Sequence, residues 1–260
     1  MDKLVNTWER LEDLGVGGLK IIQNPEYFCF GIDAVLLAWF AAKAVRRRTK
    51  VIDLGTGTGI VPLLLCGKTE VAAVDALEIQ PNMVEMARRS VAVNSLEERV
   101  HIYQMDLRAP DPAVISANYD VVTSNPPYMK ASHGIPHATE TQAIARHELL
   151  CNIGDVARFA KRHLKDRGKL FLVHRADRLS DILWALRENG VEIKRLQFVH
   201  PYAHKAANLV LAEGMKRGQP GVIVEKPLVV YNADGSYTED INRIYGTEGP
   251  RDQHIITPAE

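Results

Sequence analysis

The sequence predicts an α/β fold, a mostly parallel sheet with helices on both faces and an antiparallel pair at its end. Three observations carry this. From Lys50 onward, apolar runs of strand length alternate with segments of helical period, and parallel strands need such crossovers. A glycine-rich loop, Gly55–Gly59, joins the first of these strands to a helix. The last two strand-like runs, 192–199 and 208–213, have no convincing helix between them, so they pair antiparallel.

Each element has its own signal. Val51–Leu54 reads as a buried strand and Ile60–Cys66 as the helix after the glycine loop. Val71–Glu78 is the second strand. Pro81–Asn94 follows as a helix with Pro in its first turn and Met83, Ala87 and Val91 on one face. His101–Met105 and Tyr119–Ser124 are strands. Asn152 caps a helix to about Leu164, and the turn Asp166-Arg167-Gly168 leads into the strand Lys169–His174. The helix Ser180–Asn189 stops at Gly190. Three regions result: residues 1–49, a lid with a short strand at Leu19–Gln23 and a helix within Gly31–Val45; a core at 50–231; and a polar tail, 232–260, read as an appended hairpin or a partly loose segment.

Composition excludes several classes. The 32 basic and 32 acidic residues cancel, so any nucleic-acid binding has to use local patches. Three cysteines, Cys29, Cys66 and Cys151, lie far apart without C-x-x-C spacing, against a disulfide framework or zinc site and in keeping with a reducing cytoplasm. No signal peptide is evident. The longest greasy stretch, Ala34–Val45, is too short to span a bilayer, which needs ~20 residues.

The first chemical motif is Asp53-Leu-Gly55-Thr-Gly57-Thr-Gly59. Its glycines take φ > 0 without steric cost and let a ligand approach the backbone. The spacing is neither the dinucleotide GxGxxG nor a P-loop. Glu78 ends the second strand, where a carboxylate can accept both hydroxyls of a ribose. Asp75, three residues earlier within the apolar pattern, is its rival. An adenosine-containing ligand follows. The loop closely resembles the methionine-end loop of class I S-adenosylmethionine-dependent methyltransferases, a Rossmann-like fold. That resemblance implies seven strands and S-adenosylmethionine as cofactor. It also implies that Asp106 accepts from the adenine amino group, and that Phe30, Gly31 and Asp33 close over the methionine moiety. A turn or cap role for Asp106, and a core or capping role for the other three, stand beside those readings.

The second motif, Asn125-Pro126-Pro127-Tyr128, ends the fourth core strand. Pro cannot donate to a sheet and restricts the residue before it, so the chain leaves the sheet abruptly. Alone, that describes any strand-ending turn. After the glycine loop, NPPY resembles the motif of amino-methyltransferases acting on base amines or glutamine amides. The Asn125 side-chain oxygen and the Pro126 carbonyl can accept both N–H groups of such a nitrogen, and Tyr128 can stack on a planar group.

Across residues 10–246, "FGIDAVLLAWFA", "DLGTGTGIVPLLL", "EIQPNMVEMARRSVAVN", "SNPPYMK", "IARHE" and "PLVVYNADGSYTEDINRIYG" resemble the bacterial tRNA(Val) adenine-N6 methyltransferase family, which modifies the adenosine beside the anticodon. A tRNA substrate is implied. The candidate basic surfaces are Arg46-Arg47-Arg48 with Lys50, near the core's entrance; the helix face Arg158, Lys161, Arg162 and Lys165; and a looser group, Lys194, Arg195, His200, His204 and Lys205. The loop 130–141 reads as a substrate flap. Its His133 and His137 sit beside Gly134 and Pro136, which argue against a metal-aligning helix, so no metal is expected. Arg146-His147-Glu148 is either structural or touches substrate. The expected state is a monomer or weak homodimer. A glutamine methyltransferase of a translation factor is the nearest rival, but only about 50 residues precede the glycine loop where such proteins usually carry a substantial helical domain. A cofactor-binding subunit is the other, and the intact NPPY argues against it.

Overall fold

The computed structural model describes residues 4–27, 30–116, 118–127 and 151–246. An N-terminal hairpin, β1 (Arg10–Asp13) and β2 (Lys20–Gln23), precedes helix α1 (Ile32–Ala42). The core then runs β3 (Val51–Leu54), α2 (Ile60–Lys68), β4 (Val74–Glu78), α3 (Pro81–Val93), β5 (Val100–Gln104) and β6 (Tyr119–Ser124). After residue 150 come α4 (Ile153–His163), β7 (Leu164–Arg175), α5 (Leu179–Glu188), β8 (Val191–Tyr202) and β9 (Leu209–Lys216). Two short strands, β10 (Ile223–Val224) and β11 (Leu228–Tyr231), and helix α6 (Glu239–Tyr245) complete the described chain.

Seven strands form the sheet's body in the order β5-β4-β3-β6-β7-β9-β8, with β9 antiparallel to its neighbours, as the sequence predicts. Among the described residues the sheet nevertheless has nine strands. Both β10 and β11 add in parallel along the outer edge of β8, at Arg195–Leu196 and Val199–Tyr202, and so cover it. They are too short to leave a readable periodicity. The chain moves one way from β3 to β5 and the other way from β6 onward. The reversal lies between β3 and β6, where open α/β sheets hold their ligands.

Strand alternation divides the core. Val51, Val121, Phe171 and Val173 face a cluster with α1, α2 and α6, while Ile52, Val122, Leu170 and Leu172 face α4 and α5. Phe40 of α1 meets Phe171 edge to face at 5.8 Å. The expected turn at Asp166–Gly168 lies inside β7 as a bulge, with Arg167 at φ 63°, and the register to β6 jumps there between Tyr119 and Val121.

The first and last of the described segments are tied into this body. The free edge of β2 is satisfied by side chains of α3 and of its capping residue: Ile22 N donates to Ser90 Oγ (3.0 Å), Lys20 N to Asn94 Oδ1 (2.8 Å), and Asn94 Nδ2 to Lys20 O (2.6 Å). Arg89 of the same helix forks between Glu9 and Glu85. At the other end, the segment after Tyr231 reads as polar, yet Ile241, Ile244 and Tyr245 of α6 are buried in the α1 cluster. Thr238 caps that helix. A seven-residue helix with three buried side chains offers too short a period to stand out in sequence.

Candidate active site

The site is built at the C-terminal ends of β3, β4 and β6. Asp53, near the end of β3, is buried (1% exposed) and accepts from Thr123 Oγ1 of β6 at 2.6 Å. Burial pushes its carboxyl up to about 7, against the opposing pull of that hydroxyl. The three loop glycines all have positive φ, 68°, 58° and 89° at Gly55, Gly57 and Gly59. A Cβ on Gly55 or Gly57 would meet no atom within 4 Å, so backbone conformation demands glycine there and the space over the loop stays open. At Gly59 a Cβ would lie 3.5 Å from the Ala87 Cβ, where α2 and α3 come together.

The loop is pinned to the end of β4. Gly55 N and Thr56 N both donate to the Leu77 carbonyl (2.9 and 3.0 Å). Glu78, 5% exposed, accepts from Gly57 N (3.0 Å), Ile79 N and Gln80 N (both 2.9 Å). Three backbone donors thus aim one carboxylate at the loop and at the start of α3. Thr56 Oγ1 is buried and meets no partner at ordinary hydrogen-bond geometry among the described residues, although its hydroxyl lies close enough to Asp53 to oppose the rise of that carboxyl.

Asp106 follows β5, which pairs with β4 up to Glu78 and Gln104, so it stands next to Glu78 along the sheet's edge. Its carboxylate is held by Arg108 through the backbone N (2.8 Å) and the guanidinium (2.6 Å from Nη2), which keeps it below the usual carboxylate range. Asp75 lies elsewhere. It accepts from Tyr119 Oη (2.7 Å), contacts His101 Nδ1 (3.1 Å), and lines an open cleft of about 1070 Å³ at the N-terminal ends of the strands. It lies three residues before Glu78 on β4, away from the strand end where Glu78 meets the glycine loop.

Asn125 leaves β6 beside the glycine loop, because Leu54 and Ser124 are register partners and Ser124 Oγ donates to the Leu54 carbonyl at 3.0 Å. Pro126 is buried behind it and Pro127 is exposed. Tyr128 lies outside the described residues, as do the flap 130–141 with His133 and His137, Arg146–Glu148 and Cys29. From the N-terminal segment, Asp33 in the first turn of α1 is buried and accepts from Asn125 Nδ2 at 3.2 Å. Phe30 N donates to Gln23 Oε1 (3.2 Å), and Gln23 Nε2 donates to Thr58 Oγ1 of the glycine loop (2.8 Å). Gln23 therefore bridges hairpin, loop and Phe30. Sequence reasoning passed over it, although a glutamine closing the strand Lys-Ile-Ile-Gln, 1% exposed, is the kind of buried polar residue that marks a junction.

One of the expected basic surfaces is placed differently, and the other two are partly taken up in ion pairs and hydrogen bonds. Arg46-Arg47-Arg48 and Lys50 precede β3 and line the cleft with Asp75, at the end of the sheet opposite the glycine loop. Helix α1 runs away from the site and delivers the chain to the start of β3, so sequence proximity to the loop becomes spatial separation. Arg195 is taken up by Glu213 and Glu225 (2.8 Å each) and sits over the Phe40 ring. His200 Nδ1 contacts the Lys205 carbonyl at 2.8 Å. Of the α4 group, Arg158 pairs with Asp155 and Lys165 with Asp120, leaving Lys161 and Arg162 on the exposed face.

A strand, glycine loop and helix, an acid ending the next strand, and a rigid Asn-Pro-Pro strand end at the switch point define a class I methyltransferase. The family described as "Methyltransferase small domain" matches residues 31–188. A tRNA1(Val) (adenine(37)-N6)-methyltransferase of Aeromonas salmonicida (strain A449) is 30% identical over 216 residues, 80% of this chain and 85% of its own. One of the same name from Porphyromonas gingivalis (strain ATCC BAA-308 / W83) is 29% identical over 222 residues, 82% of this chain and 86% of its own. A solved structure described as a predicted O-methyltransferase, from Agrobacterium tumefaciens, has the same fold, with a TM-score of 0.64 at 21% identity over 82% of this chain and 95% of its own. The chain belongs to the methyltransferase small domain family and, within it, to the bacterial tRNA1(Val) (adenine-N6)-methyltransferases.

Proposed function

We propose that the protein transfers the methyl group of S-adenosylmethionine to the exocyclic N6 of an adenine in tRNA, adenine 37 of tRNA1(Val) being the position in its relatives' names. The observation that carries this reading is the junction of Asn125 with the glycine loop at the β3–β6 switch point. The open space over Gly55 and Gly57 and the aimed carboxylate of Glu78 fit an adenosyl cofactor. In the proposal, Asp53, Gly55, Gly57 and Gly59 hold its methionine end, Glu78 its ribose and Asp106 its adenine. Phe30 and Gly31 close the segment beside them.

The cofactor, when bound, supplies an electrophilic methyl carbon whose bond to sulfur breaks with the electron pair staying on sulfur. An exocyclic amine is a poor nucleophile because its lone pair is delocalised into the ring. Asn125 Oδ1 and the Pro126 carbonyl accept its two N–H groups, which orients the lone pair and favours the pyramidal, developing-positive nitrogen. The rigid Pro126-Pro127 pair sets the carbonyl's direction before substrate arrives. Tyr128 supplies a stacking face for the extruded base. The nitrogen's surplus proton leaves afterwards to solvent, and no metal is required. Since tRNA is the substrate, the site of action is the cytoplasm, and a monomer or weak dimer suffices.

The test is incubation with methyl-labelled S-adenosylmethionine and tRNA from cells lacking this gene, followed by nucleoside analysis. Label in N6-methyladenosine is expected. Its absence, with folded cofactor-binding protein and label instead in a protein extract, would turn the reading to a glutamine acceptor. Asn125→Ala should lower turnover by about 100-fold or more while cofactor affinity stays within about threefold.

A further inference from the structure

We propose that Asp33 is a positioning residue for Asn125: its carboxylate fixes the amide so that Oδ1, not Nδ2, faces the amine to be methylated. The inference rests on the role of Asn125 given above. An asparagine amide is nearly symmetric in shape, but a half-turn about its last bond exchanges an acceptor for a double donor. With Oδ1 toward the substrate, an N–H of the amine is accepted and the lone pair is directed. With Nδ2 there, donor opposes donor and the nitrogen is turned away. A carboxylate removes the choice because it only accepts. Asp33 Oδ2 takes the Asn125 Nδ2 hydrogen at 3.2 Å, in surroundings where Asp33 itself is buried.

The carboxylate is in turn fixed. Its Oδ1 accepts from Ala34 N at 2.9 Å in the first turn of α1, where the helix end favours negative charge. Gly31 makes the arrangement fit. Its backbone, at φ −107° and ψ −177°, is open to any residue, but a Cβ there would stand 2.9 Å from Asp33 Oδ1. Glycine at 31 therefore serves space rather than conformation, and the space is that of the Asp33 carboxylate. Asp33, 92 residues away from Asn125 in sequence, thus acts on the strand end that meets the substrate, from the segment that closes beside the cofactor.

The experiment compares wild type, Asp33→Ala, Asp33→Asn, Asn125→Ala and the Asp33→Ala/Asn125→Ala double variant in the full chain. Cofactor affinity is read by calorimetry, kcat and KM with tRNA by label transfer, and the Asn125 side-chain amide by NMR. Asp33→Ala should lower kcat by roughly 10- to 100-fold with cofactor Kd within about twofold, and the double variant should be no worse than Asn125→Ala alone, as for residues acting as one unit. Asp33→Asn, which keeps the shape but can pair either way, should fall between and serves if the alanine variant fails to fold. The Asn125 amide protons should shift and exchange faster once Asp33 is replaced. Losses that multiply in the double variant, a tenfold weaker cofactor with unchanged kcat, or unaltered Asn125 amide signals would each overturn the assignment. A wild-type protein that labels no adenine refutes the functional reading instead, and the amide signals then decide the contact by themselves.

Discussion

Replacing Asp53 with asparagine should stabilise the protein, and more so as pH rises. Asp53 is 1% exposed, and its carboxyl is pushed from 3.8 up to about 7 by burial. A raised acid pKa means the fold holds the protonated form more tightly than the unfolded chain does. The stabilising contribution is complete below the unfolded value and is lost as pH climbs through the folded one. With the unfolded carboxyl at 3.8 and the folded one at about 7, the shift costs the fold roughly 2 kcal/mol at pH 5 and roughly 4 kcal/mol at pH 8. Asparagine keeps an acceptor for the Thr123 hydroxyl, which now lies 2.6 Å from Asp53 Oδ1, and carries no charge to desolvate. The stability difference between Asp53→Asn and wild type should therefore grow by about 2–3 kcal/mol from pH 5 to pH 8, or about 5 °C or more in Tm for a chain of this size. Thermal melts of both proteins at the two pH values measure it. A difference independent of pH would refute the argument, showing Asp53 ionised at little cost. The stability that the native aspartate gives up is consistent with a site kept for binding rather than for folding.

Three other outcomes follow from the geometry. Glu78→Gln replaces one carboxylate oxygen by a donor, setting it against Gly57 N–H or the pair Ile79 and Gln80 N–H; cofactor affinity should fall by about 10- to 100-fold, read by calorimetry. Ile241→Ala empties a fully buried position between α6 and α1 and should cost about 2–5 kcal/mol, seen as a lower urea midpoint with unchanged slope; a surface-like loss below about 0.5 kcal/mol would detach the C-terminal helix from the core. The triple change of Arg46, Arg47 and Arg48 to alanine, at the far end of the sheet, should leave cofactor affinity and kcat within about twofold; a tenfold fall in kcat would bring that edge into the site.

The alternation of strands and helices, the glycine loop, Glu78 and the strand-ending tetrad were legible because each is a local pattern. Periodicity marks which face is buried, glycine marks positive φ, and proline marks the end of a sheet. Of Glu78 and Asp75, only Glu78 lies at the loop's end of β4, a placement that position in the strand pattern already suggests. The basic run at Arg46–Lys50 was misplaced for the opposite reason: the direction in which α1 crosses the sheet is not written in its own residues.

By itself, then, the sequence determined the parallel core, its antiparallel finish and the chemical types gathered at the switch point, because short-range periodicity and backbone sterics suffice for those. Tertiary structure alone decided that β10 and β11 widen the sheet, that α6 belongs to the core, that Gln23 ties hairpin to glycine loop, and that Asp33 meets Asn125. Each of these joins residues tens of positions apart or more, or elements only a few residues long. Such partners are chosen by packing and by the need to satisfy buried polar groups, which no local pattern records.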